Sequence, residues 1–175
     1  TLMPYCGLEY TEDGLLQYQG INVQSVSNMM GTDVPLFIYS KQAIRKNIFR
    51  IKNALFHEFH SSRLLFSVKS NTEKQILCEL RTQGIDGLDA CSPNEVFRAL
   101  ECGFSPDQIH YTSSYLSELD IKQLSRFTGI HINADSLTML RKLSFCSEVG
   151  IRVNTMNGIS YNNQENLQCN CGGDS

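Results

Sequence analysis

From Leu64 onward the chain alternates short apolar runs with longer amphipathic stretches. Leu64, Leu65, Phe66 and Val68 make a run short and apolar enough for a strand covered on both faces, and Lys69 closes it. TEKQILCELRTQG then places Ile76, Leu77 and Leu80 on one helical face and stops at Gly84. The strand GIDGLDAC precedes the helix SPNEVFRALECG, with Val96, Phe97 and Leu100 inward. QIHYTS (strand) leads to LSELDIKQLSRFTG (helix), IHINAD (strand) to SLTMLRKLSF (helix), and EVGIRVNT is a further strand. The strand-closing positions Lys69, Cys91, Ser113 and Asp135 recur every 22 residues, and Thr155 follows at 20. Strand–helix alternation of this period predicts βα units on a parallel sheet, an α/β architecture.

Helix boundaries support the phasing. Ser92-Pro93-Asn94-Glu95 reads as a capping box with proline at the first helical position, and Ser117-x-x-Asp120 as a second box. Gly84 and Gly103 sit where helices should end. Ahead of Leu64 the pattern changes: DGLLQYQG suggests a small hairpin, and VPLFIYS a strand. KQAIRKNIFRIKNALF is an amphipathic helix with Ile44, Ile48, Ile51 and Leu55 on one face. Lys41, Arg45, Lys46, Arg50 and Lys52 line its other side, a solvated face without the interleaved aromatics of a nucleic-acid stripe.

Composition narrows the function classes. The 175 residues, 41% hydrophobic and 19% charged, are enough for one ordinary globular domain. A net charge of -3 leaves no basic excess to neutralise phosphates, so a general nucleic-acid binder is not expected. No apolar run approaches the roughly 20 residues of a membrane span, and the N-terminus lacks the layout of a secretory signal. Most of the seven cysteines lie inside apolar patterns and read as reduced thiols in preference to a disulfide framework, which points to the cytoplasm. Cys169 and Cys171 form a C-x-C pair without a second pair at ligand spacing, so no metal site is expected.

In parallel barrels chemistry gathers at the rim where the strands end, and the strand-closing residues here are mostly polar. Lys69 and Asp89 fall on that rim. An ammonium at the end of an apolar strand must be paired or chemically changed, or must snorkel with its stem buried and its head in water. Asp89 reads either as a site carboxylate or as a helix cap, a role for which Ser92 is better placed. His110 and His131 lie within apolar strand patterns and read as satisfied core histidines.

These residues also carry a resemblance. FSVKSN is similar to Y-A-V-K-A-N, GTDVPLFIYS to G-T-P-L-Y-V-Y-D, and LDACSPNEV to D-V-A-S-x-x-E-L. INADSLTML is similar to V-D-S-L-x-E-L, GIRVNT to G-x-R-I-N-P, and ECGFSPDQIHYT keeps an AGF-type spacing. In one collinear order the chain resembles the pyridoxal-phosphate decarboxylases of the alanine-racemase-like barrel fold, the diaminopimelate and ornithine decarboxylase family, and most of all its diaminopimelate branch.

The resemblance implies a (β/α)8 barrel of the alanine-racemase type, here as an incomplete segment of about five strands. Residues 1–34 would be a segment belonging partly to a β domain, 35–155 the first part of the cofactor-binding barrel, and 156–175 a polar loop. It implies pyridoxal 5'-phosphate on Lys69 as an internal aldimine, with Asp89 and Arg152 in the cofactor site. For Arg152 the alternative is a structural arginine held by carboxylates, and Glu95 is explained by capping alone. The implied activity is decarboxylation of a diamino acid, meso-diaminopimelate to L-lysine, by a cytoplasmic homodimer. An ornithine- or polyamine-type decarboxylase, a racemase and a catalytically silent relative are the alternatives. The family's phosphate loop, its ring-stacking histidine and its acidic partner for the pyridine nitrogen have no match within the 175 residues. Residues 1–175 alone are therefore expected to associate through open sheet edges, to leave barrel-facing Val68 and Ile132 uncovered, and to be inactive.

Overall fold

A computed structural model describes residues 7–31 and 35–153. The chain divides into two compact units, Thr1–Arg50 and Ile51–Ser175.

In the first unit, strands β1 (Leu8–Tyr10), β2 (Leu16–Tyr18) and β3 (Ile21–Asn22) form an antiparallel sheet in that order. The expected hairpin is present. Asp13 and Gly14 lie in the connection between β1 and β2, and Gln19-Gly20 joins β2 to β3 with Tyr18 opposite Ile21. Both residues of that two-residue turn have positive φ, 51° and 77°, as a tight hairpin of this length requires. Helix α1 (Val23–Met30) was not anticipated, although its signals are local. The Asn22 side chain accepts from Ser25 N at 2.9 Å, and Gly31 ends the helix in the left-handed conformation. Pro35–Ser40, expected as a strand, joins no ladder among the described residues. An apolar alternating pattern becomes a strand only with a neighbour to pair with.

Helix α2 (Lys41–Glu58) matches expectation in extent. Ile48 is its one buried residue, and Ile51, assigned to the apolar face, is about half exposed.

The second unit is built on a parallel sheet in the order β4 (Leu65–Ser67), β5 (Gly87–Ala90), β6 (Ile109–Thr112), β7 (His131–Ala134) and β8 (Val149–Ile151). Between them run α3 (Lys74–Thr82), α4 (Pro93–Glu101), α5 (Glu118–Leu124) and α6 (Leu137–Lys142). Paired positions on neighbouring strands are offset by 22, 21, 21 and finally 17 residues. The last unit is shorter than the repeat suggested because α6 has six residues where α3 and α4 have nine. Thr155 lies outside the described residues.

Strand alternation separates two faces. Leu88, Ala90, Ile109, Tyr111, Ile132 and Ala134 are buried on the face where α4 and α6 pack. Asp89, His110, Thr112, His131 and Asn133 occupy the other face and are half-buried. Ile132 is therefore not an uncovered, barrel-facing side chain as expected: it is 1% exposed, within the helix–sheet layer. Val68, expected beside it on the open face, is likewise fully buried. The period-2 pattern identified the strands but not which parity the helices cover, and the uncovered face carries polar side chains.

Candidate active site

The C-terminal rim of the parallel sheet is shaped by local side-chain bonds. β4 does not run to Lys69. It ends at Ser67, and Val68–Ser70 forms a single 3-10 turn. Ser70 Oγ donates to Ser67 O at 2.6 Å and Asn71 N donates to Val68 O at 2.9 Å, while Asn71 Oδ1 accepts from Glu73 N. Serine and asparagine thus compete with the ladder and turn the backbone off the sheet, so α3 begins at Lys74 and not at Ser70. The turn leaves the Lys69 side chain exposed, and no hydrogen bond or ion pair from the described residues engages its Nζ. Neither pairing nor burial constrains this amine.

Asp89 stands in β5, with Ser67 of β4 and His110 of β6 as its register partners. It caps no helix, because Ser92 does: the Ser92 side chain accepts from Glu95 N at 3.3 Å, with Pro93 next. The capping box forms with a one-residue displacement. Glu95 Oε2 accepts from Cys91 N at 2.8 Å and its other oxygen from the Cys91 thiol at 3.4 Å, so Glu95 ties the end of β5 to α4. Burial and the Glu95 carboxylate push the Cys91 thiol up from its ordinary value. Lys69 opposes that shift and Asp89 adds to it, which places the lysine and the aspartate in one electrostatic neighbourhood around Cys91. At Ser117 the predicted box is complete, with Asp120 Oδ2 accepting from Ser117 N at 2.9 Å.

Arg152 follows β8. Its backbone N–H donates to Ala134 O at 2.9 Å, continuing the β7 register, and its Nε lies 3.8 Å from Asp135 Oδ1. That distance is too long for a hydrogen bond, so the pair is electrostatic. No described contact joins Arg152 to Lys69 or Asp89, which share the β4–β5 end of the rim. The layer below Arg152 is ordered by Asn133, whose Nδ2 donates to Thr112 Oγ1 at 2.8 Å. Gly150 leaves room opposite it, since a Cβ there would push the Asn133 side-chain oxygen aside.

Sequence reasoning missed two features of the sheet. Asp135 was visible only as a strand-closing residue, though a carboxylate of which the side chain is 10% exposed needs a partner, and Arg152 supplies it. His110 is not a satisfied core histidine, and it pairs with His131. Their rings stack at 4.7 Å on the face away from the helices, and the buried Nε2 of His110 has no hydrogen-bond partner among the described residues. The strands' two-residue period, aligned at offsets of 21, would have placed these two imidazoles side by side.

The fit to a pyridoxal cofactor can be tested on these residues. An unpaired primary amine, an unpaired carboxylate and a guanidinium at the C-terminal end of parallel strands suit an aldehyde that must be covalently held and ringed by charge. Comparisons with known proteins agree. A family model described as "Pyridoxal-dependent decarboxylase, pyridoxal binding domain" matches residues 42–168. Diaminopimelate decarboxylase of Methanothermobacter thermautotrophicus is 32% identical over 146 residues, 83% of this chain and 33% of that protein. The crystal structure of diaminopimelate decarboxylase from M. jannaschii superposes with a TM-score of 0.74 at 18% identity, over 89% of this chain and 38% of that one. That of the Helicobacter pylori enzyme complexed with L-lysine gives 0.59 at 24% identity, over 68% and 29%. The chain spans about a third of the length of the curated relative it matches. An amine-bearing strand end on a five-stranded parallel sheet, inside a match that covers most of the chain, makes this polypeptide a member of the pyridoxal-dependent decarboxylase family through its pyridoxal-binding domain.

Proposed function

We propose that this chain supplies the cofactor-anchoring part of a pyridoxal-phosphate-dependent amino-acid decarboxylase, with meso-diaminopimelate as substrate and L-lysine as product. The observation that carries the reading is the Lys69 amine, exposed and unpaired at the C-terminal rim in a chain of this family. Lys69 is the nucleophile that holds the cofactor aldehyde. Asp89 and Arg152 are the charged groups that orient the cofactor, Asp89 from beside the lysine and Arg152 from the far end of the described sheet. Bound pyridoxal phosphate supplies an electron sink for the bond to the departing carboxylate. Displaced by a substrate amine, the Lys69 side chain would stand free at the rim, placed to hold or return a proton. The diaminopimelate preference rests on the named relatives and on the L-lysine complex of the Helicobacter pylori enzyme. Decarboxylation of meso-diaminopimelate yields lysine, so such a complex would hold the product.

The same reading carries a barrel segment over residues 35–155, flanked by 1–34 and 156–175, and a cytoplasmic homodimer. The free thiols of Cys78, Cys91, Cys102 and Cys146 accord with a reducing compartment. Carbon-dioxide release by the native protein, loaded with pyridoxal phosphate and offered meso-diaminopimelate, L-ornithine, L-arginine or L-lysine, tests the substrate. Release from meso-diaminopimelate well above the others is the expected result. Release from L-ornithine alone would overturn the substrate, and racemisation without carbon dioxide would overturn the reaction.

A further inference from the structure

The face of the parallel sheet opposite α4 and α6 carries an unusual row. Ser67, Asp89, His110 and His131 are register neighbours across β4 to β7, where the interior of a barrel is ordinarily filled by branched aliphatic side chains. Two of its groups lack partners. No hydrogen bond from the described residues reaches the Asp89 carboxylate, and Nε2 of His110 is enclosed without a partner. A buried N–H without an acceptor is less tolerable than a buried lone pair, so Nε2 is the nitrogen to leave unprotonated. The proton then sits on Nδ1, which is not enclosed in this way. His131, stacked at 4.7 Å with 25° between the ring planes, fixes the orientation of the His110 ring from the far side.

We propose that His110 is a positioning residue for Asp89: braced by His131, it holds its Nδ1–H where the neighbouring Asp89 carboxylate meets it once the cofactor is bound on Lys69, a hydrogen bond not made in the arrangement described, and so aims that group at the Lys69 rim. The inference rests on the assignment of Asp89 to the cofactor site made above. Burial pushes the His110 imidazole below its ordinary value, and His131 and Arg63 push the same way. Asp89 is the one charged neighbour that raises it. The ring is therefore a neutral donor at physiological pH, able to orient the carboxylate without cancelling its charge.

Nitrogen NMR of labelled histidines in the pyridoxal-loaded protein gives the first test. His110 should be the Nδ1–H tautomer at pH 8. Its titration midpoint should fall in Asp89→Asn and rise in His131→Phe. The second test is the pH midpoint of the visible absorbance of the pyridoxal-loaded protein. His110→Phe should move it by about one unit, the scale of one hydrogen bond to a charged group. His110→Gln should move it similarly, while His110→Asn, whose amide nitrogen can take the place of Nδ1, should restore it. An Nε2–H tautomer, a His110 midpoint indifferent to Asp89→Asn, or equal behaviour of the Asn and Phe variants would overturn the proposal. If the Phe variant does not fold, the NMR comparison of wild type with Asp89→Asn still decides. If Asp89→Asn shifts His110 but leaves the cofactor absorbance unmoved, the pairing stands and the placing of Asp89 in the cofactor site is overturned.

Discussion

Two lysines lie at opposite ends of the same parallel sheet. At the end where β4 and β5 begin, Lys52 Nζ donates to Gly84 O at 2.8 Å and to Asp86 Oδ1 at 2.7 Å. The second oxygen of Asp86 accepts from Leu64 N at 2.8 Å, so one carboxylate ties a helix to the approaches of two strands. Burial alone would raise Asp86, but its bonds from Lys52 and Leu64 hold it below the usual carboxylate range. At the other end Lys69 and Asp89 have no such partners among the described residues. The difference is in what each end is free to do. Side chains whose bonding capacity is filled hold the fold, and side chains left unfilled beside one another can accept a ligand. A parallel barrel divides its two rims in this way, stability at the N-terminal end and chemistry at the C-terminal end.

The contrast can be broken most severely at Lys69. Lys69→Ala should lower decarboxylation by on the order of a thousandfold or more while leaving the melting temperature near wild type, since the amine holds nothing in the fold. A variant that melts early would give Lys69 a structural role. Asp89→Ala should come next, with turnover down roughly tenfold to a hundredfold and little loss of stability. Early melting with normal activity per folded molecule would instead class Asp89 with Asp86.

Asp86→Ala should behave in the opposite sense, costing about 1–2 kcal/mol of stability in denaturant titrations with turnover per folded molecule unchanged. The figure is modest because Lys52 remains more than a third exposed. The smallest effect is in pH dependence. Asp86 is depressed in the folded state, so its contribution is present above the unfolded value near 3.8 and is lost as pH falls through the still lower folded value. His110 is also depressed, so the folded state favours its neutral form and stability declines as pH falls below 6.5. Thermal melts from pH 3 to 8 should show both slopes. Asp86→Asn should flatten the acid one alone, and His110→Phe the one near pH 6.

The rims differ in how far they could be read from the chain. The spacing of Lys69 and Asp89 was legible because βα periodicity fixes which residues end strands, even though the turn at Ser67–Asn71 cut β4 short of Lys69. Helix limits were legible where caps are local, as at Ser92-Pro93 and Ser117-x-x-Asp120. The N-terminal rim was not. Lys52 looked like one more member of a solvated basic face, and Asp86 carried no motif, because their bond spans 34 residues and depends on tertiary placement. The facing of Val68 and Ile132 failed for a related reason. Alternation gives two faces, but only packing tells which one the helices cover. Pro35–Ser40 had strand-like composition and lacked a partner, and composition alone cannot supply one.

The central claim is that Lys69, and no other lysine, holds the cofactor. Borohydride reduction of the native protein with pyridoxal phosphate, followed by proteolysis and peptide mass spectrometry, tests it directly. The account predicts one stoichiometric pyridoxyl group, on the peptide containing Lys69, absent when Lys69 is replaced by alanine. A stoichiometric adduct on Lys52 or any other lysine, or none in protein shown to contain the cofactor, would contradict it.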